Sequence, residues 1–121
     1  MGVATAAYFL LQPKATTPLE ISTAQAYEKY QEGAFFLDVR EQGEWDQGHI
    51  PNNILIPLGS LASRLEEVPR GQEIVVVCRL GNRSKEGTQI LRQSGFEQVS
   101  SMSGGVREWA AAGYPFEGTP P

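Results

Sequence analysis

The sequence predicts one α/β domain with a central, mainly parallel sheet of about five strands and helices on both faces. The first observation is that short apolar, β-branched runs, as at residues 34–39 and 73–77, alternate with segments of helical pattern. Strands separated by helices pair in parallel, and such sheets are covered on both faces. The second observation is size, because 121 residues with 40% apolar content suffice for one domain and one core.

Charge and composition exclude several classes of function. The formal net charge is −4, and the ten Lys and Arg residues are scattered along the chain, whereas nucleic acids and anionic membranes are bound by clustered basic residues. We therefore expect no nucleic-acid partner. The single cysteine cannot form an internal disulfide, and with a single histidine it cannot build the usual Cys/His zinc site. No metal and no cofactor are predicted.

The first 18 residues are predicted to be a flexible N-terminal arm. Their apolar run, Val3 to Leu11, is shorter than the roughly 20 residues that span a bilayer, and it lacks the charged start of a signal peptide. The alternative is the trimmed end of a membrane anchor from a longer protein. We expect a cytoplasmic protein, or an extracytoplasmic, tethered one if that alternative holds. The domain itself is predicted at residues 19–117, with a C-terminal tail at 118–121.

The first elements of the domain follow from turn and cap signals. Residues 19–21 form a short strand candidate, and Ser22 then has the position of a helix N-cap. Gln25 stands three residues later, which makes the pair a predicted capping box. Gly33 ends this helix, and the apolar run AFFLDV at residues 34–39 is predicted as a buried strand.

A polar loop follows the second strand. Residues 40–53 are predicted as a loop with one helical turn near residues 44–47, and residues 54–56 as a short strand before a proline. Ser60 is predicted to cap a second helix, whose inward residues would be Leu61, Leu65 and Val68.

The last part of the chain continues the alternation of strands and helices. A buried strand at residues 73–77 ends at Cys78, and a third helix opens at Arg83 or Ser84 and stops before Gly95. The remaining elements are predicted as a strand within residues 96–102, a turn at residues 103–105 and a final helix at residues 106–112.

The segment after Cys78 has the composition of an anion-binding loop. Gly81 permits backbone angles that other residues avoid, and a short loop that closes onto a helix N-terminus directs several N–H groups at one point. A cysteine sulfur at that point is favoured as the thiolate, which is the nucleophilic form. Arg79 and Arg83 would attract and hold an anionic substrate.

A buried, unreactive cysteine is the competing interpretation, since a lone cysteine after a β-branched run is commonly a small core residue. From the local pattern alone the two interpretations are nearly balanced. The position of Cys78 between a strand and a helix favours the nucleophile. Four residues separate Cys78 from Arg83, whereas the loop of cysteine-based phosphatases is one residue longer and is preceded by histidine where this chain has Val77. The tighter loop favours sulfur chemistry over phosphoryl chemistry.

Four segments together resemble a known family. They are FLDVREQGEWDQGHIPNN (36–53), IVVVCRLGNRS (74–84), ILRQSGFEQVSSMSGGVREW (90–109) and AAAGYPF (110–116). In this order they resemble a single-domain rhodanese, a thiosulfate-sulfurtransferase-like domain, from about Ile21 to Phe116. The resemblance implies a central parallel sheet and a six-residue active loop, which is Cys78 to Arg83 here.

The resemblance also implies a reaction in two steps. Cys78 would be the nucleophile that takes sulfane sulfur from a donor such as thiosulfate, becomes a persulfide, and passes the sulfur to cyanide or a thiol. Because the chain has no second cysteine, the acceptor must be an external small molecule or an acceptor protein. We expect a monomer. The loop residues that would hold the persulfide through backbone N–H groups are Arg79, Leu80, Gly81, Asn82, Arg83 and Ser84.

Two departures from the family pattern and two supporting residues stand out. Leu80 replaces a serine or other polar residue of many members, which removes a possible hydrogen-bond donor and can shift donor preference. Asn52-Asn53 replaces the usual Gly-Ala after HIP, which we expect to affect a turn and not the chemistry. Asp38 and Arg40 match the family's D-x-R segment and are expected to support the loop through a hydrogen bond or ion pair.

Two alternatives to a turnover enzyme remain at this point. The domain can be a low-turnover persulfide carrier or a binding module that keeps the loop and docks a partner. It can also be a small phosphatase or arsenate reductase, against which the spacing of the loop argues. His49 is predicted to make a structural hydrogen bond, because an already ionised thiolate needs no general base.

Overall fold

The structure, a computed structural model, describes residues 17–121. Within this part of the chain, five strands form a parallel sheet in the order β1-β6-β5-β2-β4, and two short strands, β3 and β7, form a separate antiparallel pair. The strands are β1 (Glu20–Ile21), β2 (Phe35–Asp38), β3 (Gly48–His49), β4 (Ile54–Leu55), β5 (Ile74–Val77), β6 (Val99–Met102) and β7 (Glu117–Gly118).

Helices connect the parallel strands, as crossover connections require. The longest is the helix that directly follows the cysteine loop. The helices are α1 (Thr23–Gln31), α2 (Gln42–Gln47), α3 (Leu58–Leu61), α4 (Asn82–Gln93) and α5 (Gly105–Ala111), and a 3₁₀ turn lies at Leu65–Glu67. The predicted α/β fold with a five-stranded parallel sheet is confirmed.

Two apolar clusters fill the space on either side of the sheet. Because side chains along a strand alternate between faces, Ile74 and Val76 pack with Leu91 of α4 on one face. Val75 and Val77 pack on the other face, in a cluster that also contains six aromatic side chains. The members of that second cluster from α1 and α5 include Ala26, Tyr27, Tyr30, Val106 and Trp109.

The parallel arrangement brings the carboxyl ends of three strands to one edge. In β2 and β5, Leu37 lies opposite Val76 and Asp38 opposite Val77, and β6 runs beside β5 in the same direction. Residues that follow these strands therefore meet at the same edge of the sheet. This is where the sequence predicted a ligand site, beside Cys78.

The predicted capping box at the start of α1 is confirmed. The Gln25 amide N–H donates to Ser22 Oγ at 3.1 Å, and the Ser22 amide N–H donates to Gln25 Oε1 at 2.9 Å. Two of the N–H groups that a helix start leaves unpaired are thereby satisfied. A local signal of four residues was sufficient here because both partners belong to the same turn.

The second helix is present and Leu61, Leu65 and Val68 face the core as predicted, but its predicted cap and length are wrong. Ser60 lies inside the four-residue helix α3 and does not cap it, because the N-cap position is taken by Pro57 with φ −54°. The Ser60 carbonyl then accepts hydrogen bonds from the N–H and the hydroxyl of Ser63, at 3.2 and 3.0 Å. These bonds close the helix after one turn. Leu65 therefore lies in the separate 3₁₀ turn.

Two further boundaries differ from the predictions. Helix α4 begins at Asn82, one residue before Arg83, because Gly81 adopts a left-handed conformation (φ 105°) at the N-cap position. The small sheet of β3 and β7 was not predicted at all. Its strands have two residues each, too few to produce an alternating pattern.

The predicted N-terminal arm, with its alternative of a trimmed anchor, lies almost wholly outside the described residues. From residue 17 onward, no helix has the length and apolar character needed to cross a membrane. Across the same residues, no cluster of three or more His, Cys, Asp or Glu side chains is placed to hold a metal ion.

Candidate active site

Cys78 lies at the carboxyl edge of the sheet, directly after β5. The apolar run before it fills both faces of the sheet, so the strand is fixed along its whole length. Gly81 turns the chain, and α4 begins at the next residue. The cysteine side chain is only 1% exposed, so its sulfur lies inside the loop and not at its surface.

Two backbone N–H groups point at the cysteine sulfur. The amide N–H of Gly81 donates to Cys78 Sγ with an N···S distance of 3.1 Å, and that of Ser84 donates at 3.3 Å. Ser84 lies in the first turn of α4, where N–H groups have no partner within the helix. Together with the positive end of the helix dipole they favour negative charge on this sulfur.

A pair of buried hydroxyl groups lies beneath the sulfur. Ser84 Oγ lies 3.5 Å from Cys78 Sγ and donates to the Gly81 carbonyl at 3.0 Å. It is also 2.7 Å from Ser101 Oγ, on the neighbouring strand β6. Sequence reasoning missed Ser101, because only the register of β5 against β6 shows that it lies under the loop.

The N-terminus of α5 packs against the cysteine loop and donates hydrogen bonds to its backbone. The N–H groups of Val106 and Arg107 donate to the carbonyls of Cys78 and Arg79, at 2.8 and 3.2 Å. This approach requires a glycine at residue 105, since a Cβ there would lie 2.1 Å from the Arg79 carbonyl oxygen, and the backbone is left-handed (φ 66°). The predicted turn at 103–105 therefore serves to bring a second helix onto the loop.

The two arginines of the loop have different surroundings. Arg83 makes two hydrogen bonds to the Glu44 carboxylate, at 2.7 and 2.9 Å. The sequence predicted that Arg83 would hold an anionic substrate. In the structure its guanidinium instead donates hydrogen bonds to a carboxylate of the protein itself. Arg79 is exposed and its side chain has no charged partner among residues 17–121. Of the two loop arginines, Arg79 is therefore the one whose charge no carboxylate of the described residues neutralises.

The ion pair between Arg83 and Glu44 shifts both groups towards their charged forms. The hydrogen bonds from Arg83 are the main cause that lowers the pKa of the Glu44 carboxyl from 4.5 to about 2, against the opposing effect of burial. The same bonds raise the pKa of the Arg83 guanidinium. Both groups are therefore ionised at neutral pH, and α2 is tied to the cysteine loop.

Asp38 and Arg40 form a second ion pair, deep beside the first. Arg40 Nη2 and Nε donate to the Asp38 carboxylate at 2.8 and 3.0 Å, and Nη2 also donates to the Gly48 carbonyl at 2.9 Å. Arg40 Nη1 reaches the Glu44 carbonyl at 3.4 Å. The pair thus holds the backbone that presents Glu44 to Arg83, and the ion pair that the sequence predicted for Asp38 and Arg40 is present.

His49 has structural contacts, as the sequence suggested. Its ring stacks on Trp45 with centroids 3.8 Å apart, and its Nδ1 lies 3.0 Å from the Trp45 carbonyl. Nε2 lies 3.6 Å from the Glu117 carboxylate on β7. These contacts attach the end of α2 to the C-terminal segment.

A cleft of about 320 Å³ opens beside the loop. Leu80 lies at the tip of the loop and is 47% exposed. The C-terminal segment after β7 forms one wall, which sequence reasoning did not foresee. The cleft is lined by Arg40, Glu44, Gln47, Arg79, Thr119 and Pro121.

The chain is similar in sequence and in structure to several known proteins. A family described as "Rhodanese-like domain" matches residues 22–112. A sulfurtransferase from Allochromatium vinosum is 33% identical over 84 residues, which cover 69% of this chain and 78% of that protein. A rhodanese-related protein from Thermoplasma volcanium superposes with a TM-score of 0.74 at 32% identity, over 84% of this chain and 97% of that chain.

A further relative is a candidate sulfur carrier protein by its name, YrkF of Bacillus subtilis. It is 37% identical over 73 residues, which cover 60% of this chain and 40% of YrkF. The chain therefore spans less than half of that relative.

Proposed function

Because the chain belongs to the rhodanese-like domain family, we propose that it moves sulfane sulfur from an anionic donor such as thiosulfate to a thiophilic acceptor through a persulfide on Cys78. Relatives named as a sulfurtransferase and as a sulfur carrier support sulfur transfer in general. The choice of thiosulfate and of a cyanide or thiol acceptor is the finer part of the proposal.

The first step forms the persulfide. The Cys78 thiolate attacks the outer sulfur of thiosulfate, the S–S bond of the donor breaks, and sulfite leaves with the bonding electron pair. Arg79 meets the donor's sulfonate charge at the mouth of the cleft. The N–H groups of Gly81 and Ser84 stabilise the negative charge that the attacking sulfur carries into this step.

The second step returns the enzyme to its starting form. The acceptor, cyanide or a thiolate, attacks the outer sulfur of the persulfide, and the bond to Cys78 Sγ breaks. The electron pair of that bond stays on Cys78 as the thiolate, while the product is thiocyanate or an acceptor persulfide. The Gly81 and Ser84 N–H groups are already in place for the returning charge, so no reorganisation is needed.

The observation that carries the proposal is the pair of N–H groups at the buried sulfur. A cysteine that serves only as core filling has no need of donors at 3.1 and 3.3 Å from its sulfur. In this loop the donors come from a left-handed glycine and from the first turn of a helix, which are both features that cost backbone freedom. Donors aimed at a sulfur are the arrangement that a reacting thiolate requires.

The test is persulfidation by thiosulfate, followed by intact mass. We expect wild-type protein to gain the mass of one sulfur atom within one turnover, and a reductant to remove it. Cys78→Ala is expected to gain nothing. Absence of the added sulfur in the wild type, or the same addition in Cys78→Ala, would overturn the proposal.

A low-turnover sulfur carrier is the second candidate, and the burial of the sulfur favours it. With Cys78 only 1% exposed, a bulky acceptor has little direct access to the sulfur. Single-turnover persulfidation and steady-state transfer to cyanide separate the two candidates. Fast loading with slow steady-state transfer identifies a carrier, and fast rates in both identify an enzyme.

A further inference from the structure

The hydroxyl of Ser101 is a buried polar group on an otherwise apolar face of β6. Because side chains alternate along a strand, Ser101 lies on the same face as Val99, which packs in one apolar cluster with Leu91 of α4. Ser101 is 0% exposed, and a buried hydroxyl costs free energy unless it is hydrogen bonded. Within residues 17–121, its side chain has one hydrogen-bond partner, Ser84 Oγ at 2.7 Å. The sulfur-transfer steps described above make no use of this pair.

The neighbours of Ser84 Oγ determine the direction of the bond between the two serines. The Gly81 carbonyl lies 3.0 Å from Ser84 Oγ and can only accept, so it takes the single hydroxyl hydrogen of Ser84. The bond between the serines therefore requires Ser101 to be the donor. The second lone pair of Ser84 Oγ accepts the thiol hydrogen of Cys78, whose sulfur lies 3.5 Å away.

Ionisation of the sulfur changes what this network has to do. A thiolate has no hydrogen and can only accept. The Ser84 hydrogen can turn about the Cβ–Oγ bond from the Gly81 carbonyl to Cys78 Sγ without movement of a heavy atom, because the oxygen already lies within reach of the sulfur. Gly81 is the N-cap of α4, and an N-cap carbonyl also accepts the first N–H bond of its helix. Its carbonyl therefore keeps a donor, and no covalent bond changes.

We propose that Ser101 is a positioning residue for the Cys78 thiolate and acts through Ser84. Ser101 donates to Ser84 Oγ in both states, so it fixes that oxygen and leaves the Ser84 hydrogen free to follow the charge on the sulfur. Hydrogen bonds in a chain polarise one another, so the bond from Ser101 also makes Ser84 a stronger donor. This inference rests on the proposed function, in which Cys78 reacts as a thiolate.

The reaction uses this arrangement twice. Before the first step the Ser84 hydroxyl is a third donor to the thiolate, beside the N–H groups of Gly81 and Ser84. When the persulfide has formed, the negative charge lies on the outer sulfur, and the Ser84 hydrogen returns to the Gly81 carbonyl. When the acceptor removes the outer sulfur, the charge and the hydrogen bond both return to Cys78 Sγ.

The alternative is that the two hydroxyls only join α4 to β6, and Ser100→Ala is the matched control for it. Ser100 is the neighbour of Ser101 in β6 and is also buried. It faces the other side of the sheet, and its hydroxyl donates to the Pro18 carbonyl. Ser100→Ala and Ser101→Ala each remove one bonded hydroxyl from the same strand. They should therefore lower stability in urea by similar amounts, whereas only Ser101→Ala should change the reactivity of Cys78.

The test is the rate at which iodoacetamide alkylates Cys78 across a series of pH values, followed by intact mass. The reagent is uncharged and reacts with the thiolate. Division of each rate by its plateau at high pH removes differences in access and leaves the fraction of thiolate. Every variant keeps the charges around the loop, so a change in that fraction reports on the hydroxyl groups. These charges belong to Asp38, Arg40, Glu44, Arg79 and Arg83.

On the rising part of the profile, Ser84→Ala is expected to lower the thiolate fraction about tenfold, as loss of a hydrogen bond to a charged group predicts. Ser101→Ala is expected to lower it about threefold, because the Ser84 donor remains but is weaker and less well fixed. Ser100→Ala should match the wild type. In the double variant, Ser101→Ala should add nothing to Ser84→Ala, since it acts only through that residue.

Three outcomes would overturn the inference. They are an unchanged thiolate fraction in Ser101→Ala, equal losses in Ser101→Ala and Ser100→Ala, and a further loss when Ser101→Ala is added to Ser84→Ala. Alkylation needs no sulfur transfer, so these profiles test Ser101 separately from the proposed function. A wild type that takes no sulfur from thiosulfate would overturn the proposed function, whatever the alkylation profiles show.

Discussion

Two arginine–carboxylate pairs lie side by side beside the cysteine loop, and they differ in burial. The side chains of Asp38 and Arg40 are 0% and 2% exposed, whereas those of Glu44 and Arg83 are 29% and 35% exposed. Both pairs are close, at 2.8 and 2.7 Å. The same kind of ion pair therefore occurs once in the interior of the protein and once at the wall of the cleft.

The difference in burial predicts different roles for the two pairs. Removing one partner of a buried pair leaves a charge that neither water nor protein compensates, so the fold itself suffers. A half-exposed pair competes with water and is worth little to stability. However, it can still decide which charges a substrate meets. We expect Asp38 to affect stability, and Glu44 to affect the affinity for an anionic donor.

The largest expected effect is that of Asp38→Asn on stability. Arg40 would remain buried beside a neutral amide, and the free energy of unfolding should fall by about 3–5 kcal/mol. Urea denaturation followed by circular dichroism measures it. Asp46→Asn, on the exposed face of α2, is the matched control and should change stability by less than about 0.5 kcal/mol. A loss below about 1 kcal/mol in Asp38→Asn would remove the distinction between the pairs.

The next effect concerns replacement of the whole buried pair. The double variant Asp38→Leu with Arg40→Met removes both charges and keeps much of the volume. It should be more stable than Asp38→Asn, because no unpaired charge remains. The double variant should still be less stable than the wild type, because the Gly48 and Glu44 carbonyls lose the hydrogen bonds that Arg40 donates to them. A double variant less stable than the single one would show that these carbonyl contacts outweigh the charge.

A smaller effect is expected from Glu44→Gln, and mainly on substrate affinity. The substitution removes the negative charge of Glu44 from the cleft that Arg79 also lines. It also leaves Arg83 without its ionic partner. The KM for thiosulfate should fall by about two- to fivefold, since an exposed pair of charges is worth about 1 kcal/mol or less. Stability should fall by no more than that amount. A higher KM with an unchanged fold would mean that Glu44 positions the loop rather than opposing the donor.

The smallest effect is the contribution of Glu44 to the pH dependence of stability. Its folded pKa of about 2 lies below the ordinary 4.5, so the stabilisation is fully present above pH 4.5 and is lost as the pH falls towards 2. Between about pH 5 and about pH 3, wild-type protein should lose up to about 1 kcal/mol more stability than Glu44→Gln, after allowance for solvent screening. Parallel pH profiles for both proteins would contradict the assignment.

Local signals predicted much of the fold correctly. The capping box at Ser22 and the buried strand before Cys78 depend on neighbours in the chain, and both are present. The cap and length predicted for the second helix were wrong, because Pro57 occupies the N-cap and the hydrogen bonds from Ser63 close the helix after one turn. A pattern of apolar residues cannot show where backbone hydrogen bonds stop. The pair β3 and β7 was missed because residues about 70 apart in the chain form it.

The candidate site shows the same division. The sequence indicated Cys78, its loop, and a likeness to rhodanese-like domains, because these depend on residue types at short spacing. Ser101 beneath the sulfur and the approach of α5 depend on strand register and on helix packing. The pairing of Arg83 with Glu44 joins residues 39 apart, so nothing local indicates which arginine remains free.

The α/β class, the position of Cys78 at the end of a strand and the spacing of its loop could therefore be predicted from the sequence, since each is set by neighbours along the chain. Which N–H groups reach the sulfur, and which arginine pairs with Glu44, could be seen only in the folded structure. Those outcomes depend on distances between elements that are far apart in sequence. Such distances result from packing on both faces of the sheet, in which each contact depends on all the others.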